Sequence, residues 1–244
     1  MAVMWSVRLL LMAICIAAIG ASPSSKPSSK IAALFAKLAD RDPSVRDQAR
    51  IDLMGLSRAE LPELRRYVQD HRPLAPSQAA ALREIVTQVC ASGETYPSNA
   101  SHGFLGVSLP AALIPQQEQP MEPGSPPPIG VIIGDRMPGL SSFRMLANSD
   151  VIIGISEHPE VAIRNVGDLQ SIISEFRAGE TVHLEIFRSG RTFTLPVTLG
   201  ARPIEVELNP NGSDFFKREK QRRLDLSEDY WQREFAPLLE NGVS

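Results

Sequence analysis

Gly103-Phe104-Leu105-Gly106-Val107-Ser108-Leu109 is the stretch on which the reading of this chain turns. It is a short apolar loop hinged on Gly106 that runs straight into a strand. Small residues let backbone N–H groups approach a partner with no Cβ in the way, and several such groups can converge on a carboxylate. A strand directly after the loop can then accept an added peptide strand along its edge. Gly-hinged apolar turns are common, so the weight of the stretch comes from the order of elements after Leu109.

Downstream, Gly130-Val131-Ile132-Ile133-Gly134-Asp135 reads as a buried strand, a β-branched run bounded by glycines. Ser141 to Leu146 makes one helical turn, Asn148-Ser149-Asp150 a polar turn, and Val151-Ile152-Ile153-Gly154-Ile155 a second strand. Asn165 is an N-cap for a helix to about Phe176, with Leu169, Ile172, Ile173 and Phe176 on one face. Thr181 to Arg188 alternates, Ser189-Gly190 turns the chain, and Thr192 to Leu199 returns as the hairpin partner.

These elements, in this order, resemble a PDZ domain from about Gly103 to Pro203, in the permuted form found in bacterial envelope proteases and their relatives. Phe104-Leu105-Gly106-Val107 matches the carboxylate-binding loop. The family's Gly-Leu-x-x-Gly-Asp-x-Ile corresponds to Met145-Leu146-Ala147-Asn148-Ser149-Asp150-Val151-Ile152, with Met145 and Ser149 where the family has glycine. Arg177 to Gly200 matches the family's ending closely, and the likeness covers about two fifths of the chain. The resemblance implies a small β-barrel with two helices; with helical patterns before and after it, the chain is expected to be α+β and multi-domain, an all-α, HEAT-like bundle, then the barrel, then a C-terminal helix. It also implies roles. Phe104, Leu105, Gly106 and Val107 would hold a peptide carboxylate, Ser108 and Leu109 would continue the pairing strand, and Leu169, Ile172, Ile173 and Phe176 would form the groove helix. Of these last four, Leu169 and Ile173 are the choice for an apolar pocket shared with Phe104.

The 244 residues, 43% hydrophobic, hold one or two ordinary domains. A net charge of -3 gives no push toward nucleic acid or acidic membranes. Residues 1–21 carry Arg8 and then the apolar run Leu9 to Gly20, too short to span a bilayer comfortably and followed by small residues. They read as a signal peptide, with a retained anchor as the alternative, so the chain is expected to be exported, periplasmic or extracellular, and to meet the membrane only through that leader. Cys90 is then the single mature cysteine, a packed thiol after an apolar helix face.

Residues 22–29 read as a Ser/Pro linker, and residues 30–92 as helical throughout. Ile31, Leu34, Phe35 and Leu38 form one stripe. Asp42-Pro43 caps a second helix carrying Val45, Ala49, Leu53 and Leu56, and Ser57 with Glu60 makes a capping box for a third. Ser77 to Cys90 is a fourth. The run Asp42 to Ala49 resembles the start of the second helix of a HEAT-type repeat, but stacked repeats need about three units, so a small bundle is the plainer expectation and a concave protein-binding surface the alternative. Residues 110–128 form a Pro-rich insertion, a disordered excursion or a lid, and Pro110 shortens the strand before it. Residues 204–244 form a charged, partly helical tail whose Tyr230, Trp231, Phe235, Leu238 and Leu239 make a stripe that could pack on the bundle or on a partner.

No nucleophile turn of the serine-hydrolase kind accompanies the scattered His71, His102, His158 and His183. Neither zinc-ligand spacing nor a phosphate-binding glycine loop occurs. No catalytic residue, metal or cofactor is therefore expected. The leading expectation is an adaptor that binds a protein or peptide C-terminus, with an envelope protease or membrane protein as a conceivable partner. The alternatives are a scaffold with an occluded groove, an accessory subunit of an envelope protease, and, third, a hydrolase.

Overall fold

The computed structural model describes residues 29–110, 129–208 and 214–240. The expected leader of residues 1–21, residues 22–28 of the linker, residues 111–128 of the insertion and the last four residues lie outside them.

Four helices open the described chain: α1 (Ser29–Lys37), α2 (Pro43–Leu53), α3 (Leu61–Asp70) and α4 (Pro76–Ala91). Each start has a chemical cause. The Asp42 carboxylate accepts from the Ser44 N–H at 2.9 Å, and Pro43 stands where no N–H is needed. The Glu60 carboxylate accepts from the Ser57 N–H at 2.7 Å, starting a 3-10 turn that leads into α3. Leu56, expected on α2, lies beyond its end yet is buried, because the turn after Met54 folds back onto the bundle.

The middle of the chain carries β1 (Ser98–Phe104), β2 (Val131–Ile132), α5 (Ser141–Met145), β3 (Val151–Ile155), α6 (Val166–Glu175), β4 (Thr181–Arg188), β5 (Arg191–Thr198), β6 (Gly200–Pro203) and α7 (Ile204–Leu208). All pairing is antiparallel: β2-β3-β4-β5 form one sheet and β1-β6 a second. Alternation on β4 puts Val182, Leu184 and Ile186 inside and leaves Thr181 and His183 exposed. Pro196 is tolerated because β5 is an edge strand. The fold is thus mixed helix and sheet.

Two helices close the described chain, α8 (Asp214–Glu234) and α9 (Ala236–Glu240). They return to the first four. Trp231, Phe235 and Leu238 share one apolar core with Ile31, Phe35, Leu53, Leu64 and Ile85. A separate core gathers Leu105, Ile133, Ile152, Leu169, Ile172, Leu184, Ile186 and Val197 under the four-stranded sheet and α6. Cys90 lies in the helical core, where burial pushes its thiol pKa up and keeps it protonated.

Candidate functional site

The segment 103–109 departs from its expected form. Gly103 and Phe104 end β1 rather than opening a loop, and residues 107–109 make no regular strand but a single bridge from Val107 to Arg136. The Met137 N–H donates to the Gly106 carbonyl at 2.9 Å, and the Ser108 N–H donates to the Asp135 carbonyl at 2.8 Å. The Gly134 N–H donates to the Ser108 carbonyl at 2.9 Å, and the Ser108 hydroxyl accepts from the Asp135 N–H at 2.7 Å. The Gly106 carbonyl and both backbone groups of Ser108 therefore face segment 134–137. Antiparallel alternation sends the N–H and C=O of Val107 and Leu109 to the opposite side, where they have no partner among the described residues. Ser108, expected to pair with a ligand, has both backbone groups bonded already.

That opposite side is a cleft of about 80 Å³. One wall is Phe104, Leu105, Gly106, Val107 and Leu109; the facing wall is Leu169, Gln170 and Ile173 of α6. Arg202 of β6 and Val206 of α7 line it as well. Ile172 stays in the core and does not line the cleft, and Phe176 caps the end of α6 with its ring edge-on to His158 at 5.6 Å. Gln170, Arg202 and Val206 carry no mark in the sequence that would single them out as cleft residues. Arg202 is half-buried; its backbone sits in the β1–β6 ladder opposite Asn99, and its side chain has no hydrogen bond or ion pair among the described residues.

Gly106 sits at φ +70°, in the left-handed region, a conformation in which successive amides can turn toward one side. A Cβ there would lie 2.1 Å from Cδ1 of Leu140. Leu140 belongs to segment 134–140, and that segment is held from behind. Gln88 of α4, almost wholly buried, accepts from the Gly139 N–H at 2.7 Å and donates to the Leu140 carbonyl at 3.1 Å. Arg223 of α8 is 1% exposed and donates to the Pro138 carbonyl at 3.0 Å, the Ala91 carbonyl at 3.2 Å and the Glu94 carbonyl at 3.0 Å. Its charge is met by Glu219 at 2.7 Å, and its guanidinium lies 5.2 Å from the Tyr96 ring centre. Burial pushes the Tyr96 hydroxyl pKa up to about 12, so it stays a donor, bonded to the Ala201 carbonyl at 2.8 Å. Lys220 pairs with Asp135 at 2.8 Å.

A second support lies at the turn before β3. Asp150, 1% exposed, receives both prongs of Arg188 at 2.7 Å and the Ala147 N–H at 2.7 Å. Ser149 stands at φ 70°, a left-handed position that a glycine would fill without strain. Among the described residues, no cluster of three or more His, Cys, Asp or Glu could hold a metal ion, and no helix is long and apolar enough to cross a membrane.

No family model matches the chain, and no curated protein matches it. Among solved structures it is similar to the HtrA-type protease AlgW with tripeptide at 23% identity and a TM-score of 0.33, covering 42% of this chain and 32% of that one. The same protease with decapeptide gives 19% identity and a TM-score of 0.32, covering 51% of this chain and 35% of that one. An aminopeptidase N family protein from Idiomarina loihiensis gives 18% identity and a TM-score of 0.31, covering 46% of this chain and 16% of that one. The chain thus spans about a third of the protease chains it resembles.

Proposed function

We propose that this chain is an exported, non-enzymatic adaptor that binds the C-terminus or an extended segment of another protein through a PDZ-type groove, beside a HEAT-like helical unit. The observation that carries the reading is the backbone edge at Val107 and Leu109, which faces an apolar cleft walled by Leu169 and Ile173. A peptide strand bonded to that edge would end at the amides of Leu105, Gly106 and Val107, where the left-handed turn at Gly106 suits a carboxylate. Its last side chain would enter the cleft. A volume of about 80 Å³ suits one apolar side chain, against the roughly 300–1,000 Å³ of sites for whole small molecules. Arg202 adds a positive charge on the cleft wall that nothing described in this chain neutralises. Micromolar binding, about 8 kcal/mol, is expected.

The test is titration with peptides ending in apolar residues, each paired with its amidated copy. Preference for the free acid, reduced several-fold by Arg202→Gln, supports the reading; equal binding of acid and amide overturns it. Export is tested separately by fractionating the cell and sequencing the N-terminus of the recovered protein. Recovery outside the cytoplasm with a start near Ser22 is expected; recovery in the cytoplasm with Met1 intact contradicts it.

A scaffold with an occluded groove is the second reading, favoured by the narrowness of the cleft, where Leu169 is 1% and Ile173 7% exposed. Such a protein would bind no peptide of either kind while remaining fully folded.

A further inference from the structure

The helical unit touches the carboxylate loop through one short relay. Segment 137–140 has two faces. On one, the Met137 N–H bonds the Gly106 carbonyl and Leu140 packs where a Gly106 Cβ would be. On the other, Gln88 grips Gly139 and Leu140 by both ends of its side-chain amide, and Arg223 grips Pro138. Gly139 sits at φ +90°, and a Cβ there would lie 2.3 Å from the Ala91 carbonyl oxygen and 2.7 Å from Nη1 of Arg223. The fit is therefore direct backbone against helix end, with no spare room for the segment to slide. Lys220 of α8 reaches one residue of the adjoining stretch, Asp135, whose carbonyl holds the Ser108 N–H.

We infer that Gln88 and Arg223 are positioning residues for the groove: through Pro138, Gly139 and Leu140, the helical unit sets the turn at Gly106 and so aims the amides that would receive a ligand carboxylate. This rests on the peptide-binding reading for its purpose, but the mechanical coupling is independent of any ligand. Neither residue lines the cleft, so neither would touch the peptide. Two buried side chains that satisfy backbone groups on a neighbouring element are costly to remove, because the abandoned groups stay dry. A loop whose backing is lost keeps its sequence and its pocket but not its fixed geometry. The helical unit is then the foundation of the groove, and a ligand carboxylate would in turn stiffen the contact between α4, α8 and segment 137–140.

Hydrogen–deuterium exchange of the ligand-free chain is the test, comparing the parent with Gln88→Met. Faster exchange at Ser108 and Met137, whose N–H groups tie the loop to segment 134–137, is expected, about tenfold, the equivalent of one to two hydrogen bonds, while amides in β4 and β5 keep their parental rates. Unchanged loop exchange in a folded Gln88→Met protein overturns the inference, as does an equal rise everywhere, which would mark general destabilisation. Should Gln88→Met fail to fold, Arg223→Lys keeps the buried charge beside Glu219 but cannot reach the Pro138, Ala91 and Glu94 carbonyls together, and should speed the same amides; no change in that folded variant overturns the inference. Paired acid and amide peptides then separate the two proposals. Loss of acid-over-amide preference in Gln88→Met, with amide binding preserved, supports the relay. A parent chain that binds neither peptide removes the peptide reading, while the exchange data still decide the relay.

Discussion

The helical unit and the sheet region bury their apolar residues to different ends. The helical unit closes on itself: α8 and α9 return Trp231, Phe235 and Leu238 to the core begun by α1–α4. The sheet region is inserted in sequence between α4 and α8 and does not close. Among the described residues it leaves the edge at Val107 and Leu109 without a partner, and a cleft beside α6. The closed unit can serve as a rigid base because it has no unpaired edge of this kind to protect. Under the proposed peptide-binding function this region would receive a strand, and its backing, segment 134–140, is bonded to that base.

The most severe way to break this arrangement is to unmake the base. Phe235 is 0% exposed in the helical core, and Phe235→Ala should cost about 3–5 kcal/mol of stability. If the base supports the groove, chemical denaturation followed by fluorescence and by loop-amide exchange should show both regions failing together. A sheet region that survives with its loop protected would separate the two units.

The next effect lies inside the sheet region. Arg188→Met would leave the buried Asp150 carboxylate without its cation, at a cost of about 3 kcal/mol, because a buried charge stripped of its partner is strongly disfavoured. Denaturant midpoints would measure it, and Arg188→Lys should recover only part, since it cannot supply two parallel N–H donors.

Acid should act at the seam between the regions. The Glu94 carboxyl pKa is lowered, first by the Arg222 hydrogen bond, with burial opposing it and Arg58 adding to it. For Glu219, burial pushes the pKa up, but the hydrogen bonds from Arg222 and Arg223 outweigh it and the net shift is down. A carboxylate with a depressed folded pKa stabilises the fold above its ordinary value near 4.5 and loses that contribution as pH falls through the folded value. Thermal unfolding should therefore be flat above about pH 5 and decline below the ordinary value of 4.5, with α8 amides exposed first. A decline that Glu94→Gln with Glu219→Gln leaves unaltered would place the acid sensitivity elsewhere.

The smallest effect is a gain. Ser149 holds a left-handed conformation at φ 70°, so Ser149→Gly should stabilise by about 0.5–1 kcal/mol, the relief of strain exceeding the extra freedom of the unfolded chain. A calorimetric Tm that rises slightly, without change at the cleft, is the expected result.

Legibility in the sequence was local. Asp42-Pro43 and Asn165 announce helix starts by side-chain chemistry, and the Asn165 side chain does accept from the Asp168 N–H, at 3.0 Å. The alternation of β4 and the Ser189-Gly190 turn fix a hairpin whose register runs from Thr181 with Thr198 to Arg188 with Arg191. The features that escape such reading are made by distance. Strand β1, Ser98–Phe104, has no apolar alternation, and its partner β6 lies about a hundred residues on. The cleft residues Arg202 and Val206 arrive with that partner, so no local pattern could mark them. A regular strand after Gly106 would make Ser108 a pairing residue, but the backbone alternation assigns that edge to Val107 and Leu109.

That alternation offers the most direct measurement of all. Amide chemical shifts of the chain, monitored while a free-acid peptide with an apolar last residue is added, should move at Leu105, Gly106, Val107 and Leu109. The Ser108 N–H, already bonded to the Asp135 carbonyl, should move least. Shifts confined to α2, α8 or other helical surfaces, or none at any peptide concentration in a folded protein, would contradict a carboxylate-receiving groove.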